Sequence, residues 1–157
     1  MYQRILVPID GSATAARGLA EAIQLARLTR GRLRLIHVVD ELSLTLGVGA
    51  GMTATGDLLN LVREAGAATL VEGSKTVQAA GIEVDTVLKD SFAGRIYELV
   101  VAEAASWPAD LIVVGTHGRR GVERLVLGSD AENISRHAQT PVLLVRDMAP
   151  NGEAADA

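Results

Sequence analysis

A chain of 157 residues with formal net charge −4 and no cysteine is long enough to bury a core without disulfides or a structural metal, and it excludes thiolate metal sites and thiol nucleophiles. Hydrophobic residues make up 48% but aromatics only 3%, so the core is built from Val, Leu, Ile and Ala, which suits a buried parallel sheet and not a base-stacking surface for single strands. The acidic balance excludes a broad basic face, no apolar run approaches the ~18 residues of a membrane span, and no basic-then-apolar leader is visible; the expectation is a soluble cytoplasmic protein with no nucleic-acid or membrane partner.

Arg4 to Ile9 is a short apolar run, read as a buried strand that delivers the turn Asp10-Gly11-Ser12. Ala13 to Arg30 follows as a helix, with Ala16, Leu19, Ile23 and Ala26 at helical spacing, Ser12 as N-cap and Gly31 as the stop. Leu33 to Val39 is a second strand containing His37, read as a core or edge residue. Strand, helix, strand in this order requires a right-handed crossover and a parallel sheet.

The glycine-rich stretch Leu42 to Gly56 reads as a mobile loop. Asp57 to Ala80 is a helix with Leu58, Leu61, Val62 and Ala65 on one stripe, in which Gly66 and Gly73 each cost about 1 kcal/mol relative to Ala, and which Gly81 closes. Ile82 to Leu88 alternates as a strand near a sheet edge does. Ser91 to Ser106 is helical with Ile96, Leu99 and Val100 on one face, ended by Trp107-Pro108. Asp110 to Gly115 is a fourth strand, Asp130 to His137 a short helix, and Pro141 to Arg146 a fifth strand. The expected fold is one α/β domain over residues 1–147, a doubly wound five-stranded parallel sheet with helices on both faces, followed by a disordered tail at 148–157.

Ligands of such sheets bind outside the strand C-termini where the winding reverses. Two turns meet that rule: Asp10-Gly11-Ser12, and the segment in which Gly115-Thr116-His117-Gly118 is followed after nine residues by Gly128-Ser129. Glycines let the backbone approach an anion, and a helix start beyond them supplies unpaired N–H groups and a positive dipole end. A nucleotide would set its phosphates against the N–H groups of Gly118, Gly128, Ser129 and Asp130. Asp10 would take ribose hydroxyls or a phosphate-bound Mg²⁺, and backbone groups at Val38 and Val39 would face the adenine edge. Arg119, Arg120 and Arg124 add positive charge, offset in part by Glu123.

The segments Ile5 to Ser12, Ala109 to Gly118, Leu127 to Ser129 and Thr140 to Arg146 together resemble the universal stress protein family, in the family's order. The resemblance implies a Rossmann-like, adenine nucleotide alpha hydrolase-like fold. It also implies a cytoplasmic homodimer joined through the last strand, Pro141 to Arg146, and ATP binding in the branch with Gly-x2-Gly-x9-Gly-Ser. The implied nucleotide contacts are Pro8, Asp10, Val38, Val39, Gly115, His117, Gly118, Arg119, Gly128, Ser129 and Asp130. Asp130 departs from the small apolar residue expected after Gly-Ser; a carboxylate there can cap the helix, or repel phosphate unless a cation bridges them. The expected function is regulatory binding and not catalysis. The alternatives are a dimeric interaction module without nucleotide and a slow ATP hydrolase, while a hydrolase built from Ser129, His117 and Asp10 lacks a Gly-x-Ser-x-Gly elbow.

Overall fold

The computed structural model describes residues 1–41, 56–93, 95–116 and 128–146. Along them run β1 (Arg4–Pro8), α1 (Ala13–Thr29), β2 (Arg32–Asp40), α2 (Gly56–Ala79), β3 (Val84–Ser91), α3 (Ile96–Ser106), β4 (Leu111–Thr116), α4 (Ser129–His137) and β5 (Val142–Arg146). The expected loop, save Gly56, and the expected tail lie outside the described residues. All strand pairings are parallel, in the order β3-β2-β1-β4-β5, so the winding reverses between β1 and β4. The doubly wound α/β expectation is met.

The central strands read as unbroken apolar runs because both their faces are covered: Ile5, Leu6, Val7, Ile112 and Val113 are fully buried. Alternation sends Ile5 and Val7 to one core with Leu19 and Ala22 of α1 and Leu70 and Val77 of α2. Leu6 and Ile112 go to the other, with Val100 and Trp107 at α3 and Ile134 of α4.

Ser12 caps α1 as expected, its Oγ accepting from Ala15 N–H at 3.1 Å. The stop differs. Arg30, not Gly31, takes the left-handed conformation (φ 55°), and its N–H returns to the Ala26 carbonyl. Gly31 is small for another reason, since a β-carbon there would lie 2.9 Å from the Tyr2 carbonyl oxygen.

The α2 stripe is also corrected. Leu61 is 61% exposed, whereas Gly66, Leu70, Gly73 and Val77 are buried. A β-carbon on Gly66 would sit 2.6 Å from His37 Cδ2, and one on Gly73 2.8 Å from Ile9 Cδ1. The glycines that weaken the helix intrinsically let it settle onto the sheet. At the edge, β3 extends to Ser91 because β2 runs on to Asp40 and pairs with it there, so α3 begins at Ile96 and not at Ser91.

Candidate functional site

At the switch point the C-terminal ends of β1 and β4 part around a cleft of about 240 Å³. Ile36, Val114, Ile96, Val100 and Ile134 give it apolar walls, while Asp10, Ser12, Ser129 and Asp130 supply polar groups on its lining. An apolar cavity with a few convergent polar groups is the ordinary form of a small-molecule site.

One rim is the β1 exit turn. Gly11 has φ 81°, a conformation that favours glycine, and Ser12 N–H donates to Asp10 Oδ1 at 2.8 Å. Asp10 thus closes an Asx turn with one carboxylate oxygen and keeps its second oxygen for other partners. The opposite rim is the start of α4. The first bond inside this helix is Glu132 N–H to the Gly128 carbonyl, 3.0 Å, so the N–H groups of Ser129, Asp130 and Ala131 precede the intrahelical ladder. Gly128, the N-cap residue, makes no side-chain cap bond, and a β-carbon on it would meet nothing within 4 Å among the described residues. These N–H groups and the helix dipole favour an anion.

Asp130 opposes that preference. It lines the cleft in the first turn of α4, and its carboxyl titrates above the ordinary carboxylate range, raised first by burial and then by the charges of Asp40 and Asp10. Among the described residues, no cluster of three His, Cys, Asp or Glu is placed to hold a metal ion.

Of the expected contacts, Pro8, Asp10, Val38, Gly115, Gly128, Ser129 and Asp130 line this cleft. His117, Gly118 and Arg119, with Arg120, Glu123 and Arg124, lie outside the described residues. Gly115 is a strand residue paired with Val145 and not a turn. A β-carbon on it would overlap the Thr14 carbonyl, so its smallness already serves the seating of α1 on β4.

Among the described residues expected as contacts, Val39 is the one that does not line the cleft. Arg32 N–H bonds the Gln3 carbonyl while Leu33 N–H bonds the Glu83 carbonyl. Alternation then aims the backbone of even-numbered β2 residues at β1 and of odd-numbered ones at β3. Val38 therefore faces the β1 side, past the strand's last pairing at Pro8↔Ile36, while Val39 faces β3, in register with Asp90, and its side chain is buried. The period-two rule, applied to a chosen register, would have separated them. The apolar walls from α3 and α4 were missed because Ile96, Val100 and Ile134 look like ordinary core residues in sequence.

The arrangement defines a doubly wound α/β protein with a cleft at the switch point of its sheet. More particularly, the chain belongs to the universal stress protein family, whose profile matches residues 1–146. It is 32% identical over 147 residues to the universal stress protein MJ0531 of Methanocaldococcus jannaschii, covering 93% of this chain and 83% of that one. It superposes on the solved structure of protein MJ0577 with a TM-score of 0.77 at 27% identity, covering 95% of this chain and 99% of the other. The universal stress protein from Archaeoglobus fulgidus in complex with dAMP has the same fold, with a TM-score of 0.62 at 23% identity and coverage of 92% and 98%.

Proposed function

We propose that this chain is a stress-response regulatory protein that binds ATP with Mg²⁺ in the switch-point cleft and acts through occupancy, not turnover, as a cytoplasmic homodimer. The observation that carries the reading is the meeting of the Asp10 Asx turn with the first turn of α4 across one cleft. The phosphates would lie against the N–H groups of Gly128, Ser129 and Asp130, and Asp10 would hold the ribose or the phosphate-bound Mg²⁺. The dAMP complex of a protein with this fold supports an adenylate as the ligand class. The edge strand β5, whose residues Val142 to Val145 are half-buried, supports pairing with a second copy.

Asp130 favours a second reading, a dimeric interaction module without nucleotide, because an ionised carboxylate in the phosphate-facing turn repels phosphate. Isothermal titration with ATP, with and without Mg²⁺, separates the two. Binding that requires or is strengthened by Mg²⁺ supports the first reading; no heat at millimolar ATP in either buffer leaves the second. Phosphate release that Asp10→Ala abolishes would make the protein a hydrolase.

A further inference from the structure

Beyond Pro8 the β1–β2 ladder ends in an unusual way. Ile9 N–H still bonds the Ile36 carbonyl at 2.9 Å. In a continued parallel ladder the Ile9 carbonyl would then accept from Val38 N–H. Instead it lies 2.8 Å from Nδ1 of His37. A carbonyl can only accept, so Nδ1 carries the proton and donates. The ring is held from behind by α2, where Gly66 has no β-carbon to collide with it.

We infer that His37 is a positioning residue for the base end of the cleft: by taking the Ile9 carbonyl on its ring, it releases the Val38 N–H from the ladder and leaves it for the ligand. The inference rests on the cleft being a nucleotide site and adds what keeps its base-facing backbone edge open. Val38 presents an N–H and a C=O side by side toward the β1 side, and Val38 lines the cleft. That pair matches a ring nitrogen acceptor beside an amino donor, as on the Watson–Crick edge of adenine. Hypoxanthine offers the reverse, a ring N–H beside a carbonyl, and would set donor against donor and acceptor against acceptor. Without the His37 donor, Val38 N–H would close onto the Ile9 carbonyl and the discrimination would vanish.

The test compares wild type with His37→Leu, which keeps bulk and loses the donor, and with His37→Asn, which restores an N–H near the Nδ1 position. Amide hydrogen exchange of the ligand-free proteins is read first. Val38 should exchange fast beside Val39 in the wild type and in His37→Asn, and slow about tenfold or more in His37→Leu. Titration with ATP and with inosine triphosphate follows. His37→Leu should lose about tenfold in ATP affinity and most of the preference for ATP, while His37→Asn keeps both. A slow Val38 amide in the wild type, or equal Val38 exchange in all three proteins, overturns the inference whatever the nucleotide data show, and so does an unchanged ATP preference in His37→Leu. Should His37→Leu not fold, His37→Val supplies the donor-free protein and is read against the same criteria. If exchange behaves as stated and wild type binds no nucleotide, Val38 release stands and the nucleotide reading falls.

Discussion

Gly18 of α1 lies so close to Gly115 of β4 that a β-carbon on Gly18 would sit 2.8 Å from the Gly115 nitrogen. Gly115 in turn has no room on the side of the Thr14 carbonyl. Helix and strand meet backbone to backbone, which brings the α1 N-terminus and the Asp10 turn over the β4 exit. Gly18→Ala and Gly115→Ala should each destabilise by about 3 kcal/mol in urea unfolding. Gly128→Ala, at φ −53° and facing open space, should stay within about 1 kcal/mol of wild type while weakening ATP binding in calorimetry. Loss of stability in Gly128→Ala comparable to that in Gly115→Ala would contradict the separation of scaffold from site.

Helix propensity alone says that Gly66→Ala and Gly73→Ala stabilise α2 by about 1 kcal/mol each. The packing says the opposite, because the added methyl groups would meet His37 at 2.6 Å and Ile9 and Leu35 at 2.8 and 2.9 Å. The side-chain neighbours can shift, so the expected net cost is about 1–2 kcal/mol per substitution. Thermal unfolding gives the sign directly.

Asp130 makes stability depend on pH in a direction that follows from its raised pKa. The folded state holds the carboxyl proton more tightly than the unfolded chain does. Stability therefore falls as pH rises from the ordinary carboxylate range through the raised value, and stays lower above it. Asp130→Asn should raise Tm by about 1–2 °C at neutral pH and leave it unchanged below the ordinary carboxylate range. The same variant should bind ATP more tightly in Mg²⁺-free buffer. A variant whose Tm gain persists in acid would point to a cause other than ionisation.

Arg34 ties three elements together far from the cleft. Its guanidinium forks onto Asp85 at 2.7 and 2.8 Å, reaches the buried Glu103 of α3 at 2.7 Å, and lies 4.7 Å from the centre of the Trp107 ring. Among the described residues, Lys89, at 3.4 Å, is the other cation on Glu103. Arg34→Met should cost about 2–3 kcal/mol, since it leaves a buried carboxylate with a longer and more exposed partner. Adding Glu103→Leu should recover much of that loss, and a double-mutant cycle by chemical denaturation measures the coupling.

The strand and helix sequence was legible because β1, β2 and β4 carry Ile-Leu-Val, Leu-Ile and Leu-Ile-Val-Val runs between turn residues, and the Ser12 cap was legible from its chemistry. What misled was glycine. Local rules read Gly31 as a stop, Gly66 as a cost and Gly115 as the start of an anion-binding turn at its strand's end, whereas each marks a close contact with a segment distant in sequence, which no local rule contains. The site followed the same division. Asp10 and the α4 start could be placed from motif and topology, but the separation of Val38 from Val39 depends on pairing register, and the role of His37 on where one strand ends beside a longer one.

Trp107, the single tryptophan, sits at the end of α3 while Ile96 and Val100 near the start of that helix wall the cleft. Two guanidinium carbons stand 4.7 and 5.7 Å from its ring centre. A ligand that presses on the helix's first turns acts on the same rigid rod that carries the indole past those cations. Intrinsic emission should therefore shift when a ligand fills the cleft, a label-free readout that an optical titration with ATP checks.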